Sequence, residues 1–183
     1  MNFLLSIDKA ILSFLSVNLK NPFFDLLMPF VSLINNHGEV WIAISIILMI
    51  NKNTAVRRLG ITMLIGVAMG ALVGEAGLKN LIGRERPIGD EFNFNFIIPK
   101  PTSYSFPSGH TTSSFAAFGV CLFKKAKYRW WVLGLSSLIA FSRLYLHVHY
   151  PSDILGGIAL GFVCAWVAVI LGNGFFRKSE KQM

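Results

Sequence analysis

The 183-residue chain reads as an all-α, polytopic membrane helix bundle of about six transmembrane helices, five clear spans plus a short N-terminal one. Composition is the first observation behind this. Apolar residues make up 54% of the chain and charged residues 14%, against about 25% charged in an ordinary soluble domain. Mean hydropathy is +0.57. Patterning is the second: the charges gather in short clusters between long apolar runs, as in a chain that repeatedly crosses a bilayer. The length suits one domain, so residues 1–183 are taken as a single integral-membrane unit.

Residues 1–20 come first. Phe3, Ile7, Ile11 and Phe14 recur at helical spacing with Ser6, Asp8, Lys9 and Ser13 between them, which predicts an amphipathic helix lying at the membrane interface. Asn21-Pro22 then opens an apolar piece ending at Leu33, too short to span comfortably by itself. Residues 39–51 are apolar but also short. Residues 59–78, 109–123, 130–146 and 154–172 suit tilted transmembrane helices. The brief connections near 52–58 and 124–129 force antiparallel neighbours. The chain closes on a basic tail, 177–183, with no sign of order.

A formal charge of +8 raises the question of nucleic acid, and the placement of the charge answers it. Lys52, Arg57 and Arg58, then Lys124, Lys125, Lys127 and Arg129, then Arg177, Lys178 and Lys181 each abut an apolar run. That is the pattern of cytoplasmic loops under the positive-inside rule, so the expected partner is the lipid bilayer and not nucleic acid. With those clusters inside, loops 79–107 and 147–152 both fall on the extracytoplasmic face. Loop 79–107 balances Lys79, Arg84, Arg86 and Lys100 against Glu85, Asp90 and Glu91. Cys121 and Cys164 lie within apolar runs, without framework spacing, and read as small apolar fillers. The N-terminus has no basic start or small-residue cleavage site, so no removable signal peptide is expected.

Three stretches carry unusual chemistry. In KNLIGRERP, Lys79 and Arg86 stand seven positions apart; a helix continuing from 59–78 would place them about two turns apart on one face. Taken alone, the pair reads first as an ordinary basic membrane flank. In PSGH, Pro107 and Ser108 suit a helix start, Gly109 permits close backbone approach, and His110 projects from a first turn whose free N–H groups attract phosphate. The bland alternative is a capped helix with an interfacial histidine. In SRLYLHVHYPSD, Arg143 precedes His149 by six residues and Asp153 follows it by four, with Pro151 starting the next helix. A carboxylate so placed can orient the imidazole, cap the helix, or both.

Together Lys79, Arg86, Ser108, Gly109, His110, Arg143, His149 and Asp153 put cations, two histidines and one carboxylate on one membrane face. No carboxylate-rich cluster and no HExxH is present to hold a metal, and no cofactor is implied. Such a set is built for a phosphate, with one histidine to attack and one to protonate the leaving oxygen.

Lys79-x6-Arg86-Pro87, Pro107-Ser108-Gly109-His110 and Ser142-Arg143-x5-His149-x3-Asp153 match the signature motifs of the type 2 phosphatidic acid phosphatase family, in order and at the right spacings. The chain resembles the membrane-bound branch of that family over most of its length. The resemblance implies that His149 forms a phosphohistidine, that Asp153 orients it, and that His110 protonates the departing oxygen. It also implies that Lys79, Arg86 and Arg143, with Ser108 and the Gly109 amide, hold the phosphoryl oxygens. The expected substrate is a membrane lipid with a terminal phosphate, undecaprenyl diphosphate first. Phosphatidylglycerophosphate, phosphatidate and lipid A phosphates are the alternatives, and an anion transporter or a non-catalytic lipid-binding protein the other classes. Several residues stay outside the motifs. His147 is read as a wall or interfacial residue, and Glu75 as an i,i+4 partner of Lys79. Tyr104, Phe106 and Tyr145 could line a lipid entrance or form an aromatic belt.

Overall fold

The structure, a computed structural model, describes residues 2–87, 98 and 101–180. The loop charges expected at Asp90, Glu91 and Lys100, and tail residues 181–183, lie outside them. The described residues form helices joined by short turns, without a strand among them. They are α1 (Asn2–Asn18), α2 (Pro22–Leu33), α3 (Glu39–Met49), α4 (Thr54–Ile82), α5 (Gly109–Phe123), α6 (Arg129–Tyr145) and α7 (Pro151–Glu180).

Local chemistry sets several boundaries. The Asn21 side chain accepts the Phe24 N–H at 3.0 Å, and Pro22 follows at the first helical position. Asn53 caps α4 through the N–H groups of Ala55 and Val56, so that helix starts five residues before its apolar run at 59. Within α4 the turns widen to π-helical spacing over Ala71–Leu78 before tightening again at Lys79–Ile82. Gly83 ends the helix in the left-handed conformation, φ +60°, where a glycine has no side chain to clash. The helical continuation expected from Lys79 to Arg86 therefore does not occur.

Two helices are long and apolar enough to cross a bilayer by themselves: α4 over Thr54–Ile82 and α7 over Pro151–Arg177. α2 and α3 are apolar but shorter. α5 has 15 residues, a rise of about 22 Å against a hydrocarbon core of about 30 Å. α7 carries its helix to Glu180, well past the expected end at 172.

α5 occupies the centre, with every residue from His110 to Cys121 buried against α4, α6 and α7. In lipid, apolar surface alone gives little reason for helices to associate, so close contact and hydrogen bonds must do so. Both are present. A Cβ on Gly161 of α7 would stand 2.8 Å from the Thr112 carbonyl oxygen and 2.9 Å from the Ala116 nitrogen, so only glycine permits this approach. Trp41 of α3 donates its indole N–H to Ser114 Oγ at 2.9 Å, and Ser136 of α6 donates to the Ser114 carbonyl at 2.9 Å. Val67, Ala117, Val120, Ile139, Ala165 and Ala168 fill the space between, and Cys121 and Cys164 are buried and free, as small apolar fillers should be.

α1 turns Asp8, Leu12 and Leu15 inward and leaves Phe3, Ile7, Ile11 and Phe14 exposed, the apolar face an interfacial helix would give to lipid. At one end of the bundle Arg58 lies over the Phe176 ring at 5.0 Å, and Lys124 donates to Asn173. Arg58 and Lys124 thus share one end with the C-terminal part of α7, and the N-termini of α5 and α7 lie at the other.

Replacing Gly161 by Ala should cost on the order of 1–3 kcal/mol by overpacking α5 against α7. A thermal melt of the detergent-solubilised protein checks this; an unchanged Tm would mean that the two helices separate freely.

Candidate active site

The end of α4, the segment 101–107, the N-terminus of α5, the end of α6 and the turn 146–150 meet around one cavity of about 600 Å³. Glu75, Lys79, Arg86, His110, Arg143 and His149 are among its walls. Lys79 and Arg86 converge although no common helix joins them, because both reach Ser103: Lys79 Nζ lies 3.4 Å and Arg86 Nη2 3.1 Å from its Oγ. Arg86 also donates to the carbonyls of Ser103 (2.7 Å), Tyr104 (3.1 Å) and Val148 (2.7 Å). One guanidinium thus ties the two irregular segments together, which its fixed fork of donors makes possible.

His149 is almost wholly buried, and its ring nitrogens have distinct surroundings. Nε2 lies 3.1 Å from Arg86 Nη1, and a guanidinium can only donate. Nε2 must therefore carry the lone pair, and the proton of the neutral ring sits on Nδ1. Nδ1 faces Ser105 Oγ at 3.4 Å and Asp153 Oδ2 at 3.5 Å. Burial pushes the imidazole well below its ordinary pKa, and Arg86, Arg143 and Lys79 push it further the same way. The ring is neutral at neutral pH, with its lone pair on the cavity side, where it accepts from Arg86.

Asp153 lies behind this ring and has no exposed surface. Oδ2 accepts the Tyr150 N–H at 2.8 Å and the Ser105 hydroxyl, and Oδ1 accepts Arg84 Nη1 at 2.6 Å. It therefore both caps the turn into α7 and faces the imidazole. His110, in the first turn of α5, places Nε2 3.2 Å from the Ser32 carbonyl. A carbonyl only accepts, so Nε2 bears a proton in this state. Arg143 donates to Ser32 Oγ, while its buried Nε–H has no partner. An unpaired buried N–H costs about 1–3 kcal/mol, and this one belongs to a cavity-lining cation.

Ser108 and Gly109 behave differently from each other. Ser108 occupies the N-cap position, but its Oγ accepts from Thr111 Oγ1 at 3.0 Å and is absent from the cavity wall. Gly109 lines the cavity, and a side chain there would collide with the Glu75 carboxylate. Glu75 pairs with Lys79 Nζ at 2.7 Å, the expected i,i+4 partner, and its side chain is 46% exposed. A carboxylate thus lies against the α5 N-terminus, among the cations. His147 adopts φ +53° and points Nε2 toward the Leu12 carbonyl of α1 at 3.4 Å, away from the cavity wall. Tyr145 is no entrance residue either: it is buried and donates to Asp25 at 2.6 Å, holding α2 against α6. Phe106 packs against Gly156, and Tyr104 is half-exposed.

Sequence reasoning passed over Ser32, Ser103 and Ser105, which are single serines without a motif. It also passed over Arg84, which lay in full view within KNLIGRERP.

A cavity that holds fixed cations around a neutral, lone-pair-bearing imidazole favours a tetrahedral oxyanion, as a protein that handles phosphate requires. Residues 55–177 match the PAP2 superfamily, and the chain belongs to it. A Sulfolobus acidocaldarius undecaprenyl-diphosphatase is 34% identical over 151 residues, 79% of this chain and 69% of that protein. The Bacillus subtilis undecaprenyl-diphosphatase BcrC is 38% identical over 84 residues, 46% of this chain and 40% of that one. Among solved structures, a PAP2-type phosphatidylglycerolphosphate phosphatase from Bacillus subtilis superposes with a TM-score of 0.68 at 24% identity, over 97% of this chain and 88% of that one. The likeness shows that the fold is shared.

A phosphate that bound Lys79 would compete with Glu75 for its amine. At its exposure such a pair is worth about 0.2–1 kcal/mol, so Glu75→Gln should lower the Ki of inorganic phosphate by up to about fivefold. Inhibition kinetics read this directly, and an unchanged Ki would place the bound phosphate clear of the carboxylate.

Proposed function

We propose that the chain is a membrane lipid phosphatase that removes the terminal phosphate of undecaprenyl diphosphate, and that His149 is its nucleophile. The carrying observation is the state of His149, with the Nε2 lone pair turned to the cations, where a phosphoryl group would replace Arg86 as its partner, and Nδ1–H backed by Asp153. Lys79, Arg86 and Arg143 neutralise the phosphoryl oxygens, and the unpartnered Nε–H of Arg143 gains an acceptor when phosphate is bound. The Gly109 amide, at the positive end of α5, adds a donor once Glu75 has moved. Ser108 supports this turn from beneath through Thr111.

Nε2 attacks phosphorus in line with the leaving oxygen. The N–P bond forms as the P–O bond breaks, and His110, taken up as the imidazolium with the anionic substrate, gives the departing lipid phosphate the proton on Nδ1 while its Nε2–H stays on the Ser32 carbonyl. Water then attacks the phosphohistidine, assisted by the same imidazole of His110, releasing inorganic phosphate and restoring His149. The Ser32 carbonyl orients His110 throughout. No step calls for a metal. The relatives named as undecaprenyl-diphosphatases support the choice of lipid. The site lies at one end of the bundle, which favours an enzyme over a transporter.

Residues 1–183 act in this proposal as one multi-pass unit of the cell membrane with about six crossings and the site outside. The basic end near Arg58, Lys124 and Arg177 then faces the cytoplasm, as the positive-inside rule requires.

The decisive assay is phosphate release by the purified protein with EDTA present, comparing undecaprenyl diphosphate, phosphatidylglycerophosphate, phosphatidate and lipid A. Undecaprenyl diphosphate should turn over fastest, His149→Ala should be inactive, and His110→Ala should lose about 10²–10⁴-fold in kcat. Preference for another lipid would overturn the substrate, and reversible loss on chelation would overturn the metal-free route. For topology, a cysteine replacing Lys125 should resist impermeant reagents in intact cells; labelling there would invert the orientation.

A further inference from the structure

We infer that Asp8 and Arg84 are positioning residues for the catalytic carboxylate: Asp8 fixes Arg84, and Arg84 fixes Asp153. The inference rests on the phosphatase reading, because it assigns a purpose to the group that orients His149. Both terminal nitrogens of Arg84 are used at this end of the molecule. Nη1 donates to Asp153 Oδ1 at 2.6 Å and to Ser152 Oγ at 2.6 Å, and Nη2 donates to Asp8 Oδ2 at 2.7 Å. The Arg84 Cζ lies over the Tyr150 ring, 4.3 Å from the ring centre. Held by Ser152, Asp8 and the Tyr150 ring, the guanidinium is placed to hold Oδ1 of Asp153.

Asp8 is the less expected member. It belongs to α1, whose opposite face is apolar and exposed, yet its own carboxylate is 1% exposed. Both its oxygens are used at the start of α7: Oδ1 accepts the Ser152 N–H at 2.9 Å, and Oδ2 accepts the Ser152 hydroxyl at 2.5 Å as well as Arg84. The carboxylate meets the positive end of the helix that carries Asp153. Burying an ion pair does not by itself favour the fold over an apolar contact of equal volume, so stability alone is a weak reason for it. α1 thereby reaches the back of the nucleophile through two ion pairs, Asp8–Arg84 and Arg84–Asp153.

A structural strut would make the same contacts, so the test needs readouts that a strut would leave unmoved. Asp8→Asn keeps shape and removes charge. In the full-length protein it should lower kcat by about 10- to 100-fold through misplacement of the acting groups, with KM nearly unchanged. The same change made in an Asp153→Asn background should cost nothing further. ¹⁵N spectra of histidine-labelled protein, assigned with His149→Gln, should show the His149 Nδ1–H signal displaced from its wild-type position in Asp8→Asn, with Nε2 still the unprotonated nitrogen facing Arg86. Wild-type turnover with an unchanged His149 signal would overturn the inference, as would equal losses in both backgrounds. If the wild-type protein releases phosphate from no lipid, the phosphatase reading falls, and the His149 signal alone then decides the positioning role.

Discussion

A carboxylate without access to water needs a donor for each of its lone pairs, and at Asp153 that requirement organises one whole end of the molecule. Its partners come from four places: Arg84 after α4, Ser105 before α5, the Tyr150 amide at the start of α7, and the His149 ring. Irregular segments that would otherwise have little to hold them are drawn to one point. The cavity is what remains in front of that point, and the orientation of the imidazole follows from what stands behind it.

The second requirement is that α5 be rigid, since both His110 and the Gly109 amide are fixed by its first turn. A helix buried on every side can manage this without a large apolar driving force if its neighbours come close. Gly161 lets α7 do so, and the polar groups of Ser113 and Ser114 give α3, α6 and the Asn35 turn something to bind. Asn35 adds a direct link to the site by donating to the His110 carbonyl. Packing at mid-bundle and chemistry at the end are thus parts of one hydrogen-bonded column.

The sequence was informative wherever the chemistry is local. Proline and asparagine marked the start of α2, the three short motifs contained the residues that now surround the cavity, and the i,i+4 spacing of Glu75 and Lys79 foretold their pairing. It misled at Gly83, where helical periodicity was extended past a residue that ends the helix in the left-handed conformation. It was silent on Ser32 and Ser105, because a lone serine becomes specific only through partners 111 and 48 residues away. Asp8 was read as one of the polar residues of an interfacial helix. Which of them would turn inward depended on Arg84, and helical spacing holds no record of that.

The wide turns of α4 over Ala71–Leu78 have a consequence for how this helix can change. An α-helix advances about 100° per residue, so each residue taken up by wider turns resets the direction of everything after it. Below Gly70, α4 is phased to fit α3, α5 and α7; beyond Leu78 it is phased to aim an amine into the cavity. The two halves are separate dials on one rod. Deleting a single residue between them would leave every side chain of the site in the sequence while turning Lys79 toward a different neighbour.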